Sequence, residues 1–269
     1  MALRRDEAVV IRAMNYGEAD KIVSFYTPRF GKVKGIAKGA RKPKNRFSSS
    51  LEPFNLGQIV FFEKENAELC SIRSFDVVER FDELRTDLEK LSLASASVEL
   101  VDVISVEGLP DEKGFELLTE YLSLMRSSDD PELLTYAFAL KFMAQSGFKP
   151  QLELCVSCLK PISSSPAFNP VSGGLICRSC SGSSPEAFPI EMGTARTMRK
   201  LMELDLKLVG RVKASGRCRG EMRKAIRSFI RHQTERELRS FQFMETLERV
   251  IGHEDVSTDH NGSERVLGL

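Results

Sequence analysis

Two Cys-x-x-Cys pairs, Cys155-Val156-Ser157-Cys158 and Cys177-Arg178-Ser179-Cys180, carry the most specific chemistry in the chain, with the eighteen residues Leu159 to Ile176 between them. A two-residue gap lets both thiolates of a pair reach one tetrahedral ion at roughly 2.3 Å, and a spacer of about 15 to 20 residues returns the second pair to that ion. Turn residues at Asn169-Pro170 and Gly173-Gly174 suit such a return. We therefore expect one structural Zn2+ per chain on Cys155, Cys158, Cys177 and Cys180. Four thiolates fill the coordination sphere, so the metal braces the fold and does no chemistry. A zinc deaminase would need a His or Cys two residues before a catalytic Glu, upstream of one cysteine pair. Here His232, His253 and His260 all lie downstream, and Cys70 is followed by Ser71-Ile72. Cys70 and Cys218 have no partner spacing and read as ordinary thiols.

The second constellation is electrostatic. Between Pro28 and Leu51 the chain carries Arg29, Lys32, Lys34, Lys38, Arg41, Lys42, Lys44 and Arg46 and no acid. Eight cations without a carboxylate repel one another unless an external anion neutralises them, so we expect a nucleic-acid surface rather than a plain solvated face. Tyr26, Phe30 and Phe47 lie close enough in sequence to stack on bases, but an aromatic in such a segment is slightly more often a core residue. A second basic stretch runs from Arg196 to Arg239. Within it Arg219, Arg223, Arg227 and Arg231 recur every four residues, on nearly one face of a helix. That face is either a second phosphate-tracking surface or the internal partner of the acidic residues at 82 to 132.

No catalytic motif accompanies these features. Gly31-Lys32 and Gly39-Ala40-Arg41-Lys42 lack the glycine spacing and Lys-Ser/Thr ending of a phosphate-binding loop. Asp82-Glu83, Asp111-Glu112 and Asp129-Asp130 stand where helices start, which makes capping their default role. Three histidines near the C-terminus assemble no nucleophile-base pair. We expect no enzyme.

The elements that position these residues follow from periodicity. Residues 8–11, 21–26, 32–37, 58–62 and 69–72 are five β-branched or aromatic runs broken by turns at Asn15-Tyr16-Gly17, at Pro28 to Gly31 and at Glu65-Asn66. Five such strands suit a small antiparallel barrel, an OB-fold or an SH3-like barrel, with Lys32, Lys34 and Lys38 on a solvent face. From about residue 82 the period becomes helical through Leu84, Leu88, Leu91, Val98, Val101 and Ser105. It continues through Phe115, Leu118, Leu122 and Met125 after Pro110-Asp111, and then from Pro131 through Leu134, Phe138 and Phe142 to a stop at Gly147. Beyond the cysteines, Met222, Ile226, Phe229, Ile230, Leu238, Phe241 and Met244 restore it. The expected fold class is α+β and multidomain, an N-terminal OB-fold β-barrel followed by an all-α domain carrying an inserted four-cysteine zinc finger. Its boundaries are 1–80 for the barrel, 81–150 and 185–251 for the helical domain, 151–184 for the insert and 252–269 for a polar tail expected to be disordered.

Composition sets the remaining bounds. In 269 residues, 39 basic and 38 acidic side chains give a net charge of +1, which excludes a polyelectrolyte chain. No run approaches the roughly 18 apolar residues of a membrane span, and Met1-Ala2-Leu3-Arg4-Arg5-Asp6-Glu7 has no signal-type apolar region, so a cytoplasmic location is expected. In that reducing compartment clustered cysteines point to metal rather than disulfides.

The residues also carry a resemblance. Asn15-Tyr16-Gly17-Glu18-Ala19-Asp20-Lys21-Ile22-Val23, Thr27-Pro28, Phe30-Gly31-Lys32, the segment from Ala37 to Arg46 and Leu51-Glu52-Pro53-Phe54 resemble the bacterial recombination mediator family RecO. Phe142, Gly147, Pro150 and Leu152-Glu153-Leu154-Cys155 are similar to that family's entry into its zinc module, and His232 with Leu238-Arg239-Ser240 to its closing helix. The resemblance implies an N-terminal OB-fold and a helical domain with an inserted zinc finger. It implies binding to single- and double-stranded DNA, annealing of complementary strands and, with RecR, help for the RecA filament in replacing single-strand-binding protein, with no nucleotide hydrolysis. It implies a bacterial, nucleoid-associated protein whose helical domain receives the acidic, apolar C-terminal tail of single-strand-binding protein; the arginine helix is our candidate source of a rim cation for that peptide. The alternative is a zinc-ribbon protein contacting RNA or the transcription machinery, against which the N-terminal barrel pattern speaks.

Overall fold

The computed structural model describes residues 2–47, 49–63, 68–162, 164–244 and 246. The turn expected at Glu65-Asn66 and the tail at 252–269, with His253 and His260, lie outside the described residues.

Strands β1 (Ala2–Tyr16), β2 (Asp20–Thr27), β3 (Gly31–Ala37), β4 (Leu56–Glu63) and β5 (Cys70–Glu79) form a closed barrel in the order β1-β2-β3-β5-β4. Long β1 pairs antiparallel with both β2 and β4, and a short parallel pairing of Gly35 and Ile36 with Cys70 and Ser71 joins β3 to β5. Closure gives each strand a partner on both sides, although β3 and β5 share only these two residue pairs. The run Ala8-Val9-Val10-Ile11 is buried throughout because β1 has apolar neighbours on both faces. Ala8 and Val10 join the barrel interior with Phe25, Ile59, Phe61 and Phe75, whereas Val9 and Ile11 join the core of the helical part.

The helical stripe that begins near residue 82 is two helices rather than one. The side chain of Asp87 accepts from the backbone N–H groups of Glu89 and Lys90, which ends α1 (Glu83–Thr86) and starts α2 (Leu88–Ile104). Asp111 caps α3 (Glu112–Met125) through Gly114, and Asp130 caps α4 (Pro131–Gln145) through Leu133, with Pro131 in the first turn as its fixed φ favours. Asp82 makes no such side-chain bond. Helix α4 is buried on nearly every side, from Leu133 to Met143, and touches α2, α3, α6 (Met192–Glu203) and α7 (Gly216–Thr234). Helix α6 is not among the elements expected from periodicity, although Ala195, Met198 and Leu201 bury one face. A 3-10 turn, Leu206–Arg211, leads towards α7, which ends where Glu235 adopts a left-handed φ of 53°. Residues 239–244 are again helical.

Barrel and helices are welded by one end of β2. Tyr26 is fully buried against Phe115 and Phe142, its hydroxyl donates to Asp111, and burial together with that carboxylate pushes its ionisation up. Gly31 has a φ of 56° and passes so close to the Leu109 carbonyl that a Cβ has no room. Lys32 follows, and its ammonium donates to the Asp102 carbonyl at 2.6 Å and pairs with the Asp102 carboxylate at 3.7 Å. No helix among the described residues is long and apolar enough to cross a membrane.

Candidate metal centre and nucleic-acid interface

The two cysteine pairs meet on a small sheet, ordered β7-β6-β8, of Gly174–Ile176, Ala167–Asn169 and Phe188–Pro189. Val156 N–H donates to the Leu175 carbonyl at 2.8 Å, which sets the first pair beside β7. A tight turn with Leu159 at φ 60° folds Cys158 back, and Leu159 N–H reaches the Cys155 carbonyl at 2.8 Å. Cys177 directly follows β7 and opens the four-residue helix α5 (Arg178–Ser181), on which Cys180 lies. All four Sγ atoms lie within 4.8 Å of one another, and those of Cys158 and Cys177 are 3.9 Å apart. A tetrahedral ion with sulfurs at roughly 2.3 Å places them roughly 3.8 Å apart, so the cluster has the size of a four-thiolate site.

Its electrostatics agree. Burial opposes ionisation of Cys155, but the N–H groups of Cys177, Cys158 and Ser157 outweigh it and bring this thiol down to about 6; the Cys177 donor is 3.4 Å from the sulfur. Cys180, facing Cys177 and the other thiols, is pushed up to about 12. Four thiolates this close need a shared cation before all can ionise. The sheet rests on α7 through Phe168, whose ring stands edge-on to Phe229 at 6.2 Å, so the cluster's sheet packs on the helix that carries the arginines.

The acid-free run is split by the fold. Arg29 bonds to buried Asp6 at 2.9 Å and Lys32 to Asp102, so two of the eight cations find carboxylates from other segments, and Lys32 faces α2 instead of solvent. Arg41 donates to the Gly17 carbonyl at 2.8 Å, and Arg46 to the Ile72 carbonyl at 3.2 Å while lying 4.8 Å over the Phe47 ring. Lys34, Lys38, Lys42 and Lys44 are exposed and make no ion pair among the described residues. Tyr26 and Phe47 are core residues, 0% and 1% exposed, and are withdrawn as stacking candidates; Phe30 is half-buried, with Arg4 and Arg29 over its ring. Sequence reading passed over the exposed Tyr16, whose place on the outer face of β1 emerges only from strand register.

The arginine ladder of α7 resolves the other way. Arg219 bonds to both Asp130 and Glu132, and Arg223 to Glu132 and the Tyr136 hydroxyl. Arg219 draws the Asp130 carboxyl below its usual range, and the bonds from Tyr136 and Arg223 do the same for Glu132 against the opposing effect of burial. Arg227 lies 4.8 Å over Phe241, and Arg231 reaches Glu237 at 3.9 Å. Internal pairing with the acidic start of α4 therefore takes up the first half of the ladder, and neither Arg219 nor Arg223 is a free phosphate contact.

The family model for Recombination protein O N terminal matches residues 1–81, and that for Recombination protein O C terminal matches residues 85–242. The chain belongs to the recombination protein O family. Among the similar curated proteins, the DNA repair protein RecO of Syntrophus aciditrophicus is 34% identical over 253 residues, 93% of this chain and 98% of that protein. Those of Symbiobacterium thermophilum and Halalkalibacterium halodurans are 35% and 30% identical over 92% and 94% of this chain, each covering 98% of the relative. The recombination protein O C-terminal match runs straight through Cys155 to Cys180, so the cluster lies within the family's second segment. The recombination protein O N-terminal match contains the whole cationic run.

Proposed function

We propose that this chain acts in DNA repair and homologous recombination as a mediator that holds single- and double-stranded DNA by its phosphates, anneals complementary strands and, with RecR, helps load RecA onto DNA covered by single-strand-binding protein. Family membership supports the repair and recombination role, and the relatives named above are DNA repair proteins. The observation that carries the DNA reading is the exposed set Lys34, on β3, and Lys38, Lys42 and Lys44, in the segment that follows it, within a run that holds no acid. Such a surface captures backbone by releasing counterions and reads no bases, as a mediator working on any sequence requires. Annealing then needs only that the repulsion between two strands be screened. The strand order supports an OB-fold, and the all-thiolate donor set supports structural zinc in an inserted finger. For the tail of single-strand-binding protein, the supporting feature is a cleft of about 600 Å³ lined by Leu134, Leu206, Val209 and Val212 together with Lys207 and Lys213; Asp129, Asp130 and Arg219 also line it, and Asp130 and Arg219 are paired with each other.

The test is charge reversal of the full chain. Lys38→Glu with Arg41→Glu is expected to weaken single- and double-stranded DNA alike, independently of sequence, and to lower the slope of log affinity against log salt by about 1.4 to 1.8, at roughly 0.7 to 0.9 per phosphate contact. Unchanged affinity and slope, together with absent annealing, would overturn the DNA reading.

A further inference from the structure

The outer face of β1, β2 and β3 has a feature that phosphate binding leaves unexplained. Along one cross-strand row Met14 pairs with Ile22, and Ile22 with Ile36. Met14 is 45% exposed and the two isoleucines are half-buried, so an apolar stripe crosses the outward face of the three strands. In the next row Tyr16 stands opposite Asp20 and is 51% exposed. Cations bracket the stripe. Arg12, Ser24 and Lys34 form the row on the side of the helical part, where Arg12 pairs with Asp102 at 3.6 Å, and Lys38 follows β3 on the other side. Ile36 lies between Lys34 on β3 and Lys38, the first residue of the turn that follows it. The cationic loop is tied to this corner, because Gly39 N–H donates to the Asp20 carboxylate at 2.8 Å and Arg41 donates to the Gly17 carbonyl beside Tyr16.

Exposed aromatic and apolar surface between two lysines that make no ion pair among the described residues suits a polyanion with apolar faces, and the flat ring of Tyr16 favours a nucleobase over an acidic, apolar peptide. Duplex DNA hides its bases in the stack, whereas a single strand offers them. We propose that Tyr16 is a base-stacking platform: it holds one unpaired base beside the stripe of Met14, Ile22 and Ile36 while Lys34 and Lys38 hold the flanking phosphates. This inference rests on the DNA reading above and deepens it. Duplex DNA is bound here by phosphates alone, and a single strand gains the stacking contact as well. Strands held this way keep neighbouring bases accessible for pairing.

The experiment compares the full chain with Tyr16→Leu and Tyr16→Phe, using a labelled oligo(dT) and a duplex of equal length over a series of salt concentrations. Tyr16→Leu keeps an apolar strand residue without the ring. It is expected to weaken oligo(dT) binding by roughly five- to a hundredfold, the range of one base–aromatic stack. Duplex affinity and both salt slopes stay as in the parent, and Tyr16→Phe retains parental single-strand affinity. A melting temperature equal to the parent's shows that the fold is intact. Equal losses on both forms of DNA would overturn the proposal, as would no loss on either, the result expected if the stripe docks a protein. Lys38→Glu with Arg41→Glu, assayed alongside, separates the two failures. If it weakens both DNA forms while Tyr16→Leu alters neither, the stacking platform falls and the DNA reading stands; if neither variant alters binding, both fall.

Discussion

The run 29–46 and helix α7 carry cations at similar density, yet the fold treats them in opposite ways. The barrel run keeps Lys34, Lys38, Lys42 and Lys44 exposed and without ion pairs among the described residues, and uses its remaining members to tie loops to strands. Helix α7 spends Arg219 and Arg223 on Asp130 and Glu132, which come from a helix start nearly ninety residues earlier in the chain. Positive charge in a sequence is therefore not positive charge on a surface. What separates the two regions is whether an acid from elsewhere in the fold reaches the same place. Within the run, Asp6 of β1 reaches Arg29 and Asp102 of α2 reaches Lys32, and Asp102 also pairs with Arg12 of β1.

Breaking the cysteine cluster has the largest expected effect. Cys177→Ser should abolish the single equivalent of zinc expected in the parent protein and cost several kcal/mol, seen as a fall of about 10 °C or more in Tm, because the binding energy of a structural metal is folding energy. Metal analysis and calorimetry check this; full metal loss with unchanged Tm contradicts a structural role. Next, Lys38→Glu with Arg41→Glu should reduce DNA affinity at least tenfold while costing no more than about 1.5 kcal/mol of stability, the loss of the exposed Arg41 bond to the Gly17 carbonyl included. Arg219→Ala should reverse that pattern. Removing hydrogen bonds to two partly buried carboxylates should cost about 1.5 to 3 kcal/mol in urea unfolding and leave the DNA salt slope as it was. If Arg219→Ala instead abolishes DNA binding at unchanged stability, the two regions have been assigned the wrong way round.

The smallest effect is a pH dependence confined to the helical part. Asp130 and Glu132 both ionise below the usual carboxylate value when folded, so the unfolded chain binds more protons at these sites. Their contribution is fully present above about pH 4 to 5 and is lost as pH falls through the lower folded values. Asp130→Asn should flatten part of that acid limb when unfolding is followed from pH 6 to pH 3. An unchanged limb would mean that the pairing with Arg219 adds little in water.

Much of this was legible in the chain itself. The spacing of Cys155, Cys158, Cys177 and Cys180 defines the cluster because a two-residue gap and a single ion leave few arrangements. Period-2 runs located the five strands, and Asp111 and Asp130 announced their helices because capping is a local interaction. Three kinds of fact depended on tertiary structure. Val9, Ile11 and Tyr26 sit on the outer face of the barrel yet are buried, because the helices cover that face, and no local pattern states what covers a strand. Asp87 divides one apolar stripe into two helices, since periodicity records the buried side and not the cap. The fate of each cation, Lys32 on α2, Arg219 on α4 or Lys38 left to solvent, was decided by long-range partners, because charges pair through space and sequence distance sets no limit on them.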